Sequence, residues 1–410
     1  MSQPSEQSVL PARAPRRYVG AVREWALQHP LLFIALVAVC VRLASAVFIN
    51  VVIGLEQPVF SDVHIYDRLA DQRASGAYRE WDTSSEFYYD RFATFVVPLS
   101  ILYRLFGSFL FLGQVLAAVA GTLTAVLTCK LLLMVTAKQW AILGGLIIAV
   151  FPSQVVWSST GFRDSFVWMV TAALAVVCAF AARALGWRLL GLGVAAVALV
   201  FALGHLRLST MIVASWALMF VAIFSVEQQR LVRAVGALVI ALIVPWYIGT
   251  GLGGLEYITN QSPAELRADR ALGADSAFVE ESVGEVRSDL AHLPRGLSVM
   301  LFEPWPGTSF TGSSVRLAQV ELVMWYPLLL LAVLGVPAAF RSRRVLTFSA
   351  VTGGTLLMVY ALSEGNFGTA FRHRAELVPP MTVLAVLGAA ALTERRRRHE
   401  QERDEPQMTV

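Results

Sequence analysis

Residues 31–54 read LLFIALVAVCVRLASAVFINVVIG, and Arg42 is the only charged side chain among them. An apolar run of this length crosses the bilayer core as a helix, which takes about 20 residues. It is too long for the core of a cleavable signal peptide, and Arg42 is out of place in one. With the basic stretch before it, the run looks like a signal anchor. Nine further runs of comparable character follow, near 109–135, 139–157, 165–184, 187–205, 208–225, 231–249, 317–338, 345–362 and 375–392. They account for a 410-residue chain that is 56% hydrophobic and 15% charged. Soluble domains run at about 45–50% and about 25%. A soluble enzyme, a nucleic-acid-binding domain and a secreted disulfide scaffold are thereby excluded. The expectation is an all-α polytopic membrane protein, a bundle of about 10 transmembrane helices with helices in its outer loops, surrounded by membrane lipids and without a nucleic-acid partner.

Arg and Lys gather between alternate runs: Arg13, Arg16, Arg17 and Arg23; Lys130 and Lys138; Arg183 and Arg188; Arg230 and Arg233; Arg341, Arg343 and Arg344; Arg395 to Arg398 and Arg403. The positive-inside rule places these loops in the cytoplasm. That side then carries 18 basic and 8 acidic residues, against 15 and 21 in the membrane or outside, so the net +4 divides into +10 and −6. Both termini fall on the cytoplasmic side of the inner membrane, and the spans are even in number. Cys40, Cys129 and Cys178 all lie in apolar runs and read as buried packing residues. They show no disulfide or zinc spacing.

The chain therefore divides into a cytoplasmic tail (1–30), a membrane domain (31–393) and a basic tail (394–410). Residues 1–12 and 399–410 are polar, lack periodicity and read as disordered. Two outer loops interrupt the membrane domain, at 55–108 and 250–316. In the first, FATFVVPLSILYRLFG (92–107) is apolar but short and reads as an interfacial helix. In the second, AELRADRALG and VEESVGEVRSDL have helix-forming composition, and Pro294, Pro304 and Pro306 turn the chain back toward the membrane.

Ionisable groups at an apolar boundary are costly and mark candidate sites. The first loop opens FSDVHIYDRLADQ, where Asp62 and Tyr66 share a helix face. Asp62 suits a general base, and Ser61 or Asp62 also suits a helix N-cap. Arg163 and Asp164 are adjacent in FPSQVVWSSTGFRDSF; neighbours on a helix point apart, so each needs its own partner. Arg163 reads as a phosphate ligand or as a snorkelling interfacial side chain. His205 and Arg207 mark the turn GHLRLS, where Arg207 is also readable as an ordinary loop arginine. Arg372, His373 and Arg374 crowd the last outer turn, SEGNFGTAFRHRAELVPP. So dense a cluster on the acidic side needs an anion. Arginine's planar fork suits phosphate; lipid head groups, Glu364 or Glu376 would also serve.

This layout resembles the GT-C superfamily of membrane glycosyltransferases, in its protein-mannosyltransferase and aminoarabinose-transferase-like branch. The likeness lies in a first span with an Arg, a loop opening on Asp62 with Tyr66 nearby, and a Pro-containing helix ending in Leu105–Gly107. A long second span, the FPSQVVWSS…RD stretch and FGTAFRHRAELVPP complete it. It covers residues 31–170 and the C-terminal turn, whereas 171–315 match only in architecture. The resemblance implies transfer of a sugar from a polyprenyl-phosphate-linked donor to a glycan, lipid or protein acceptor on the outer face. Asp62 would be the catalytic base, and Arg163, Arg372 and Arg374 would bind the donor phosphate. Arg207 joins them on topology alone, and Tyr66, Asp164, His205 and His373 are candidate substrate contacts. Many members carry a second acidic residue after the Asp; here it is Val63, with Asp67 and Asp71 as possible substitutes. No cofactor is expected, and a divalent metal is left open. A polymerase of lipid-linked repeat units would use the same groups. A transporter or flippase of lipid-linked sugars would line its path with mid-span charges, of which Arg42 is the chief one.

Overall fold

The computed structural model describes residues 14–56, 60–77, 83–224, 262–272, 276–278, 286–305, 307, 313–341 and 346–404. Among them every regular element is helical, and one isolated antiparallel bridge joins Ala277 to Asn366. The helices are α1 (Ala14–Gln28), α2 (Pro30–Phe48, continued by a π turn, Ile49–Ile53), α3 (Ser61–Ser75), α4 (Thr83–Phe106), α5 (Leu110–Leu133), α6 (Lys138–Val150) and α7 (Pro152–Ser159). They continue as α8 (Asp164–Ala181), α9 (Trp187–Gly204), α10 (Leu208–Phe224), α11 (Pro263–Ala271), α12 (Val286–Phe302), α13 (Ser313–Arg341), α14 (Thr347–Ser363) and α15 (Phe367–Asp404).

Among the described residues, six helices are long and apolar enough to cross a membrane, or seven when the bent pair α6–α7 counts as one span. The chain is thus a multi-pass membrane protein. The expected runs at 208–225 and 345–362 form α10 and α14, each 17 residues and at the lower limit for spanning. The run at 231–249 lies outside the described residues.

The expected span at 139–157 is broken at Phe151–Pro152, and its halves meet at 53°. Proline at the first position of α7 removes a ladder donor and leaves carbonyls at the end of α6 without partners. Arg42, fully buried on α2, takes them up, donating to Ile148 O (3.2 Å) and Ala149 O (3.3 Å) and to Ser158 Oγ (2.8 Å). At the other side of the break, Glu321 Oε2 accepts from the Ser153 N–H at 2.7 Å. A cation closes the C-terminus of one half-helix and an anion the N-terminus of the next, as the helix dipoles favour. Pro379 in α15 likewise frees the Ala375 carbonyl, and Gln154 Nε2 donates to it at 2.5 Å.

Gly335 and Gly388 let α13 and α15 touch backbone to backbone. A Cβ at either would collide with a carbonyl of the facing helix, Leu384 O or Leu331 O. Cys129 and Cys178 are buried as expected, whereas Cys40 is exposed on the outward face of α2.

In the two loops expected to be outer, residues 92–106 form the apolar part of the longer α4. Residues 263–271 form α11, opened by a capping box between Ser262 and Glu265. Pro294 sits inside α12 and does not turn the chain. The basic tail is not irregular over 399–404: α15 runs on to Asp404, supported by an Arg396–Glu400 pair at 2.8 Å. Glu- and Arg-rich sequence favours helix even without an apolar stripe. Residues 1–13 and 405–410 lie outside the described residues.

Candidate functional site

Four helix ends converge at one boundary of the bundle: the starts of α3, α8, α10 and α15. Asp62 lies in the first turn of α3, and Phe60, with no side-chain cap, is the N-cap. The N-cap position is thus neither Ser61 nor Asp62, and the Asp62 carboxylate turns to α15. Arg372 Nη1 donates to Asp62 Oδ2 at 2.6 Å, while its Nε and Nη2 donate to Asp164 Oδ2 at 2.9 and 2.7 Å. One guanidinium thus bridges two carboxylates that lie 102 positions apart in the chain, and its plane rests on the Phe162 ring, 4.2 Å from the centroid.

Asp164 offers its other oxygen to Arg207, whose Nη1 donates to Glu376 Oε2 at 2.6 Å. Glu376 also accepts from Tyr360 OH (2.6 Å) and Thr210 Oγ1 (2.5 Å). Arg372 and Glu376 stand one helical turn apart, so both face the same neighbours. Burial alone would lower the Arg207 guanidinium, but Asp164, Tyr360 and Glu376 outweigh it and raise it above the usual arginine value. The charge is firmly held.

Arg163 and Asp164 take separate partners, as adjacency requires. Arg163 Nη1 donates to the Leu206 carbonyl, its plane lies 4.1 Å from the Phe92 ring centroid, and its buried Nε has no hydrogen-bond partner. Among the described residues it pairs with no carboxylate, and burial lowers it. Tyr66 is buried edge-on against Phe92 and Phe95, with centroids at 5.2 and 5.5 Å. The opening of the site is at Asp62, whose side chain is 39% exposed, against 17% for Arg372 and none for Asp164.

The structure therefore brings together Asp62, Arg163, Asp164, Arg207 and Arg372, with Tyr66 beside Phe92. It does not bring in Arg374. Two positions along a helix turn a side chain about 200°, so Arg374 faces away from Arg372. It donates to the Val299 and Glu303 carbonyls at the end of α12. The expected Arg372–Arg374 pair is not a pair in space. His373 bonds Glu364 (2.5 Å) and stacks on Tyr360, with centroids 4.5 Å apart. His205 meets the Phe201 ring at 4.8 Å. Arg207 is no ordinary loop arginine, since it is buried in the ion network.

The residues that sequence reading missed are Tyr360, Thr210 and Phe162. Glu376 was visible as a carboxylate one turn beyond Arg372, but its partner is Arg207. Glu364, fully buried in the turn before α15, also takes Arg270 at 2.6 Å and Thr369 Oγ1 at 2.7 Å. Burial pushes its carboxyl up, yet Arg270, His373 and Thr369 prevail and hold it at about 2. Through Arg270, and through Arg267 to Leu362 O (2.6 Å), helix α11 is fastened onto this turn, and Arg267 also ties it to Asp289 of α12 (2.8 Å).

The groups round Asp62 do not fit a divalent cation. Its near neighbour is the Arg372 guanidinium, and the two substitutes for a second acid are engaged elsewhere: Asp67 with Tyr103 OH (2.5 Å) and Asp71 with Ser108. Among the described residues no cluster of three His, Cys, Asp or Glu side chains could hold a metal. The chain matches no protein-family model and no curated protein.

Proposed function

We propose that this protein is a glycosyltransferase that moves a sugar from a polyprenyl-phosphate-linked donor to a cell-envelope acceptor. The observation that carries this reading is the half-open Asp62 carboxylate, held by Arg372 beside the buried, carboxylate-free Arg163. The bundle is GT-C-like with about ten spans. Both termini lie in the cytoplasm, and the site faces out from the inner membrane.

Asp62 accepts the proton of the acceptor hydroxyl as its oxygen attacks the anomeric carbon. A new C–O bond forms while the bond from that carbon to the phosphate oxygen breaks, with inversion. The departing polyprenyl phosphate carries the electron pair, and Arg163 and Arg372 stabilise its charge from fixed positions. Asp164, Arg207 and Glu376 hold Arg372 in place. In this reading the second outer loop, which includes α11 and α12, selects the acceptor.

Asp62→Asn tests the assignment. General-base catalysis contributes about 10²–10⁴-fold, so transfer by reconstituted protein falls by that factor while the melting temperature holds. Undiminished transfer refutes the role. Cells lacking the protein accumulate the polyprenyl-phosphate sugar, identifiable by mass. A product ladder on a gel would identify the polymerase form of the same chemistry.

One observation favours a transporter: a span broken within the membrane, the usual construction of transporter binding sites. Here, however, Arg42 and Glu321 already satisfy the half-helix ends that a transported ion or substrate would use. Translocation of lipid-linked sugar across vesicles without glycosyl transfer would decide for that reading.

A further inference from the structure

On the face of α15 opposite Arg372, a second polar cluster forms where the break between α6 and α7 meets α13 and α15. Its members are Ser153 and Gln154 of α7, Glu321 of α13 and Arg374 of α15, none more than 1% exposed. Their contacts establish that they adjoin. Ser153 N–H donates to Glu321, and Gln154 bonds the Ala375 carbonyl next to Arg374. The Arg374 guanidinium stands 5.7 Å from the centre of Trp325, one turn along α13 from Glu321.

Five polar atoms of this cluster lack a hydrogen-bond partner in the protein: Glu321 Oε1, Arg374 Nε and Nη1, Ser153 Oγ and Gln154 Oε1. Buried polar groups are satisfied in the great majority of cases, and each orphan costs about 1–3 kcal/mol. An occupant must meet both acceptors and donors. A bare anion satisfies Arg374 but is repelled by Glu321; a bare cation satisfies Glu321 but is repelled by Arg374. Water does both, needs 2–4 polar partners, and is the common resident of such sites. Interrupted helices at membrane depth are tolerated where they are buried in protein or line such a cavity.

We infer that α7, α13 and α15 hold between them a small cluster of ordered water molecules bridging the Glu321 carboxylate to the Arg374 guanidinium. This site is independent of the glycosyltransferase reading. It gives Arg374 a role on the far side of α15 from the donor phosphate.

The test is a high-resolution map of the full chain in lipid nanodiscs, together with melting curves for Arg374→Met, Glu321→Leu and the double variant. Solvent density contacting both Glu321 and Arg374 is expected. Each single variant should melt several degrees lower, because it strands the remaining charge, and the double variant should lose less than the two losses summed, keeping only the loss of the Arg374 bonds to the Val299 and Glu303 carbonyls and of the Glu321 bond to the Ser153 N–H. A dry direct bond between the two side chains, density for a larger anion, or single-variant losses that simply add in the double variant would overturn the proposal. The map uses the unaltered protein, so the test stands even where a variant does not fold.

Discussion

The side chain on which the site turns is Asp164, which holds both Arg207 and Arg372 from a fully buried position. Removing one partner of a buried charge network costs about 3–5 kcal/mol, because charge is left uncompensated. Asp164→Asn is therefore expected to lower the melting temperature in detergent markedly, whereas Asp62→Asn, at the exposed end of the network, leaves it nearly unchanged. Equal losses for the two would contradict this division of roles. Glu364 makes a pH-dependent contribution. Its carboxyl is held at about 2 instead of the ordinary 4.5, so the folded state favours its ionised form. That stabilisation, roughly 3 kcal/mol, is complete above 4.5 and is lost as pH falls toward 2. In Glu364→Gln, the slope of melting temperature against pH over that range should flatten. At this scale Asp62, Arg163 and Arg372 were legible as costly charges at an apolar boundary. The separation of Arg372 from Arg374 follows from helix geometry, which their closeness in sequence conceals.

Among the elements, the broken α6–α7 span departs most from its sequence. Length and apolarity of 139–157 predict one helix, and Pro152 marks where it fails. Nothing local shows that Arg42, more than 100 residues earlier, fills the end of α6. Arg42→Met keeps the bulk but removes every donor, leaving Ile148 O, Ala149 O and Ser158 Oγ without their guanidinium partner. Its expected effect is a loss of several degrees in melting temperature, with increased proteolytic sensitivity near the break. A Met variant as stable as the parent would show that the carbonyls find other donors. The α13–α15 contact makes the opposite point. Glycines in apolar runs announce close packing, and only the folded chain shows that Gly335 and Gly388 meet carbonyls of the facing helix.

For the whole molecule, the division of +4 into +10 and −6 predicts sidedness. A cysteine at Leu272, which is 74% exposed beside the docked α11, should react with a membrane-impermeant maleimide added to intact cells. One at Glu400, on the α15 extension, should react only after permeabilisation. The reverse pattern would invert the topology and move the Asp62 site to the cytoplasm. Sequence alone determined the class, because long apolar runs have few stable alternatives to a membrane bundle. It also determined the candidate charges, because ionisable groups beside lipid are too costly to be incidental. Tertiary structure alone decided which charges act together. Ion pairs form between side chains that share a place in space, and Asp62 meets Arg372 from 310 positions away.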